Sequence, residues 1–158
     1  MTSTLPSTLP STVRPPDEAQ IRSLIAEKEI LMRTKDAERL VSRYAPEILQ
    51  FDLAPPLQHS GPAVLDPAEV RGWFSTFDGP LDYEVRDLAV TAGEDVAFCT
   101  SLERLTATPL GSQDPFTLWV RCTVGLRKVD GTWRITHEHS STPFYMDGSF
   151  QAAVDLQP

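Results

Sequence analysis

The feature that most constrains the fold is a change of hydrophobic period at Gly79-Pro80. Upstream, apolar residues recur at helical spacing. Ile21, Leu24, Ile25 and Met32 fall at i, i+3, i+4 and i+11, one stripe of a helix. Lys28 takes the i+7 place, where an apolar residue is expected. A second helix is predicted from an Asp36 cap, with Leu40, Val41 and Tyr44 on one side and Pro46 as its stop. "ILQFDLAPPL" then reads as a short strand entering a proline-broken loop. The third helix opens with Asp66 as cap, Pro67 at the first helical position and Glu69 in capping-box spacing. Its stripe is Val70, Trp73, Phe74 and Phe77.

Downstream the period is two, which is the spacing of a sheet with one buried face. Leu81, Tyr83 and Val85 alternate, and a phase change before Leu88 and Val90 predicts a bulge. Val96, Phe98, Thr100 and Leu102 alternate after the turn "TAGED". A long strand puts Phe116, Leu118, Val120, Cys122, Val124 and Leu126 on one face. Asp130-Gly131 in "VDGT" suits a type I′ turn, and the last strand runs from Trp133 toward Pro143. Three helices followed by an antiparallel meander make an α+β chain. Long curved strands with helices on one side enclose a cone-shaped cavity, a setting for a small ligand.

Residues 3–13 repeat Ser-Thr-Leu-Pro, and residues 1–16 are expected to form a disordered tether, with docking of Leu5, Leu9 and Val13 onto a partner subunit as the alternative. Residues 17–145 form the predicted domain and 146–158 a tail. The net charge of −8 argues against nucleic acid and against an anionic membrane surface, both of which require a basic face. No apolar run approaches the about 18 residues of a membrane span. No secretory apolar stretch opens the chain, and Cys99 and Cys122 have no metal or disulfide spacing. These features predict a cytoplasmic protein whose partner is a small molecule or another protein.

Two stretches carry a resemblance. "KDAERLVSRYAPEILQFDLAPPLQHSG" is similar to the helix, strand and loop of the ketosteroid-isomerase-like, or SnoaL-like, superfamily, which shares the nuclear transport factor two fold. "RCTVGLRKVDGTWRITHEHSSTPF" resembles its arginine-containing strand, Asp-Gly hairpin and H-x-H-x-S ending, also similar to the kinase association domain. The resemblance implies a cone-shaped barrel and places Asp52 at the isomerases' catalytic aspartate. It also implies that their oxyanion donors are missing, since Lys28 and Cys122 or Thr123 fall at those positions, which argues against steroid isomerisation. The superfamily holds isomerases, cyclases and dehydratases as well as assembly modules, so the resemblance implies cofactor-free acid–base chemistry or, alternatively, a non-catalytic binding role.

The candidate residues follow from faces and pairing. Asp52, in an apolar setting, is the expected general base. A two-residue turn at Asp130-Gly131 would pair Thr123 with Glu138 and Arg121 with Ser140. Arg121 and Glu138 would then be diagonal neighbours able to form an ion pair, with Trp119 and Thr123 on the same face. On alternation His137 and His139 share a face with Trp133 and Ile135, and Glu138 and Ser140 take the other. An H-x-H pair can start a zinc or copper site, but its apolar neighbours favour structural histidines, and no metal is expected. Acid–base work by a histidine is favoured over metal binding, with His139 as the candidate. Lys28 is a candidate pocket cation, and Tyr44 and Trp73 are core residues with an edge on the cavity. Pairing through the outer sheet face is expected to give a homodimer.

Overall fold

The computed structural model describes residues 15–158, so most of the predicted arm lies outside the described residues. Its last positions, Pro15 and Pro16, open the first helix, because proline tolerates a first turn whose N–H groups have no partners.

Three helices precede the long strands: α1 (Pro15–Arg33), α2 (Ala37–Ser42) and α3 (Pro67–Phe74). The strands are β1 (Tyr44–Phe51), β2 (His59–Ser60), β3 (Phe77–Ala92), β4 (Val96–Pro109), β5 (Phe116–Val129) and β6 (Thr132–Ser141). They form one sheet in the order β2-β1-β6-β5-β4-β3, antiparallel except where β1 runs parallel to β6. This is the expected α+β cone, with α1 crossing β3.

Local signals place the helix ends. Asp36 accepts from the Arg39 N–H at 3.0 Å and Asp66 from the Ala68 N–H at 2.8 Å. Two predicted boundaries move. α2 stops before Arg43, so Tyr44 opens β1 and Pro46 sits inside that strand. Phe77 likewise begins β3 instead of ending α3.

α1 buries Ile21, Ile25, Leu31 and Met32, each such side chain worth about 1.5–3 kcal/mol when removed from water. One core cluster joins Ile21 and Ile25 to Val124, Leu126, Trp133 and Ile135, and a second joins Leu31 and Met32 to Phe74 and Leu81. The indole N–H of buried Trp133 donates to Asp17 at 3.2 Å, and Lys128 pairs with the same carboxylate at 2.6 Å. Beyond β6 the chain folds back, with the Ala153 N–H on the Pro143 carbonyl at 2.7 Å.

The sheet register decides the site. In β3 the pairing slips between Arg86 and Ala89, at Asp87 with φ 55°, where the phase change predicted a bulge. The β5–β6 turn has φ 50° at Asp130 and 79° at Gly131, the two positive values of type I′. Lys128 faces Trp133 as expected, but the register slips once between Gly125 and Leu126. Thr136 is the extra residue, and its hydroxyl donates to the Gly125 carbonyl at 3.3 Å. From there Thr123 faces His139, Val124 faces Glu138, Cys122 faces Ser140 and Arg121 faces Ser141, each one residue off the expected pairing.

One inserted residue exchanges the two faces of a strand. Glu138 therefore joins Trp133 and Ile135 on the buried face, while His137 and His139 turn outward. β4 also departs from expectation. Ala97, Cys99, Ser101 and Glu103 point inward, leaving Val96 and Phe98 about half exposed.

No helix among the described residues is long and apolar enough to cross a membrane.

Candidate functional site

Lys28 lies one helical turn beyond Leu24 and Ile25 on the inward side of α1. Its ammonium reaches the carboxylate of Glu103 on β4 at 2.9 Å and also bonds that of Glu138 on β6. The Lys28 side chain is 11% exposed, Glu103 1% and Glu138 10%, so three charges are taken almost wholly out of water. Such burial is tolerated only when every partner is in place.

The remaining donors complete the cluster. The Tyr44 hydroxyl donates to Glu138 at 2.9 Å, and the Gln50 side-chain amide donates to the Tyr44 oxygen at 3.1 Å. On the other side the Tyr83 hydroxyl donates to Glu103, and the Ser101 hydroxyl donates to the second Glu103 oxygen at 3.2 Å. The Lys28 ammonium also lies 5.5 Å from the centre of the Tyr83 ring.

Burial alone would raise the pKa of Glu138, but the charge and hydrogen bond of Lys28, helped by Arg43 and Tyr44, bring it down to about 2. Burial would lower Lys28, yet Glu103 and Glu138 hold it well above its ordinary value. Burial, then the charge of Glu138, pushes the Tyr44 phenol up. Burial raises Tyr83 as well, and Glu103 adds to this against the opposing charge of Lys28. At neutral pH the cluster thus holds an ammonium, an ionised Glu138 and two protonated phenols.

The cluster forms the polar end of a cavity of about 640 Å³ between the helices and the sheet. Met32, Leu40, Val70, Leu105, Leu118 and Val120 supply its apolar walls. Asp52 and Glu69 stand at its exposed mouth with Trp73, which is 40% exposed.

Six expected site residues border this cavity: Lys28, Tyr44, Asp52, Trp73, Glu138 and Ser140. Asp52, expected to be partly buried, is exposed, and one of its oxygens accepts from the Leu53 N–H at 2.7 Å. Five other candidates lie on the opposite sheet face. Arg121 and Thr123 are exposed there and do not meet Glu138, because the Thr136 bulge has turned Glu138 inward. Trp119 lies under the guanidinium groups of Arg86 and Arg104, each 5.9 Å from its ring. The His137 Nδ1 donates to the Leu49 carbonyl at 2.8 Å and the ring packs edge-on against Phe51, while His139 is exposed beside the same ring. The expected grouping of Trp133 and Ile135 with the histidines gives way to their grouping with Glu138.

Glu103 and Tyr83 are not among the residues that the sequence pattern marks as candidates. The signal for Glu103 was Lys28 itself, since a lysine on an apolar helix stripe requires a carboxylate opposite it.

Glu103, Cys122 and Glu138 bring potential metal-ligating atoms within 4.8 Å of one another. The donor set nevertheless suits an ammonium better than a metal. Lys28 bridges the two carboxylates, and burial keeps the Cys122 thiol protonated.

The SnoaL-like domain model matches residues 21–145. An NTF2-like protein of unknown function from Pseudomonas putida KT2440 is 31% identical, covering 90% of this chain and 97% of its own at a TM-score of 0.78. A Novosphingobium aromaticivorans protein carrying the name "Putative Scytalone Dehydratase" has the same fold at 15% identity and a TM-score of 0.72, over 87% of this chain and 91% of that one. An NTF2-like protein with a cystatin-like fold from Novosphingobium aromaticivorans is 19% identical over 90% of each chain, TM-score 0.65. No curated protein is matched by the sequence. The match across residues 21–145, together with the helix-and-sheet cone just described, means that the chain belongs to the SnoaL-like family.

Proposed function

We propose that this protein binds a small, mostly apolar molecule carrying a hydroxyl or carbonyl oxygen and performs cofactor-free acid–base chemistry on it, by isomerisation or loss of water. The observation that carries this reading is the Lys28–Glu103–Glu138 cluster closing the end of a cavity walled by Met32, Leu40, Val70, Leu105, Leu118 and Val120. Fixed charges and donors in a water-poor pocket stabilise developing charge far better than they would in water.

The base role passes from Asp52 to Glu138. A ligand oxygen that recruits the Tyr44 hydroxyl takes one hydrogen bond away from Glu138 and makes that carboxylate more basic. Glu138 then accepts a proton from a ligand C–H, and the C–H electron pair forms the new double bond. In isomerisation the proton returns to another carbon. In loss of water the departing hydroxyl takes its proton from the Lys28 ammonium, and Glu138 afterwards passes its own to Lys28, which restores the cluster. The name of a structural relative, "Putative Scytalone Dehydratase", is the reason for including water loss.

A second reading is binding without turnover. It is favoured by the free protein's Glu138 pKa of about 2, which makes the carboxylate a weak base until a ligand rearranges its donors. Both readings meet one test. Apolar hydroxy- and carbonyl compounds are incubated with the protein, and products are followed by NMR in deuterated water. Conversion or deuterium uptake that vanishes in a folded Glu138→Gln variant supports chemistry at this site. Binding without exchange supports the second reading, and turnover that survives Glu138→Gln overturns the assignment.

A further inference from the structure

The charged groups bordering the cavity are unequally divided. Among the described residues Lys28 is the one lysine or arginine there, against the carboxylates of Glu103 and Glu138 at the closed end and Asp52 and Glu69 at the mouth. Its ammonium already has both inner carboxylates as partners. The charge of Arg43 acts on Glu138, but Arg43 does not border the cavity, and Arg121 is exposed on the opposite sheet face. His59, at the mouth, has its Nε2 3.3 Å from the Ala54 carbonyl.

An anionic head group entering here would displace Lys28 from a carboxylate or stand beside one without a counter-charge. Either is costly where water is largely excluded. A cationic group meets the opposite situation at the mouth, with two exposed carboxylates and the accessible ring of Trp73. A neutral hydroxyl or carbonyl can use the Tyr44 and Lys28 donors without adding charge.

We infer that the cavity selects ligands by charge, taking an apolar body with an uncharged or amine head group and rejecting carboxylates and other anions of the same shape. This rests on the small-molecule reading above and narrows its ligand class. The net charge of −8 over the whole chain acts in the same direction at long range.

The test is isothermal titration at pH 7 and low salt with two apolar bodies, a naphthylethyl group and a decyl chain. Each is offered as the alcohol, the amine and the corresponding carboxylate. For whichever body binds, the alcohol and amine should bind at least about tenfold more tightly than the carboxylate, the effect of one poorly screened like charge nearby. The double variant Asp52→Asn/Glu69→Gln, at two exposed positions, should reduce the amine-over-carboxylate ratio several-fold. A carboxylate that binds as tightly as its alcohol overturns the charge inference while leaving the small-molecule reading intact. A ratio unchanged in the double variant overturns the role of the mouth carboxylates. Absence of binding by all six compounds counts against the small-molecule reading and removes the inference with it.

Discussion

Replacing Lys28 with Met keeps the length and apolar stem of the side chain and removes only the ammonium. Glu103 and Glu138 are then left facing each other at 1% and 10% side-chain exposure with no cation between them. Removing one partner of a buried ion pair costs about 3–5 kcal/mol. For a chain of this length that is a fall of about 10 °C in Tm. The pH dependence is more telling than the size. In the intact protein Glu138 sits at about 2 against an ordinary 4.5, so its stabilisation is complete above 4.5 and disappears as pH falls toward 2. That interval is worth about 3 kcal/mol. In Lys28→Met the carboxylate pair keeps only the smaller effect of the Arg43 charge on Glu138, so one member holds its proton above the ordinary range. The variant must then lose stability as pH rises from 5 to 8, where the intact protein does not. Urea unfolding followed by the fluorescence of buried Trp133 reads both effects. A variant within about 2 °C of the intact protein at pH 7, with no loss of stability from pH 5 to 8, would refute the coupled cluster.

Other consequences are simpler to check. Tyr44→Phe removes the 2.9 Å donor to Glu138 and should cost about 1–2 kcal/mol in urea unfolding, moving the acid limb of the stability curve to higher pH. Arg121→Ala, on the exposed face opposite the cavity, should change ligand affinity less than about twofold in titration calorimetry, the scatter expected of an uninvolved surface change. We also propose that the outer sheet face, where Phe98 is 51% exposed, pairs with a second copy. Sedimentation should then find a dimer that Phe98→Glu converts to monomer.

The parts of the structure legible in the sequence are those with local causes. Asp36 and Asp66 announce helix starts because a short polar side chain satisfies free N–H groups, and Asp130-Gly131 announces its turn because both residues accept positive φ. The β3 bulge showed as a phase change in the apolar pattern. The Thr136 bulge left no such mark, since Thr136 is neither glycine nor part of a broken apolar run. That single residue moved Glu138 from the expected partnership with Arg121 to Lys28, and moved both histidines out of the core. Glu103 is hidden in the sequence because β4 carries apolar residues on its outer face, so the more apolar alternate set, Val96 and Phe98, points away from the core. Tyr44 borders the cavity as its aromatic character on an apolar stripe implies, although it opens β1 and does not belong to α2.

The account places function at the Lys28–Glu103–Glu138 end of the cavity. A crystal structure of the protein with the tightest-binding alcohol from the titrations tests this most directly. The account predicts the ligand oxygen within hydrogen-bonding distance, about 3 Å, of the Tyr44 hydroxyl or the Lys28 ammonium, with the apolar body against Leu105, Leu118 and Val120. A ligand seated on the Arg121–His139 face, or held at Asp52 with the cluster untouched, would contradict it.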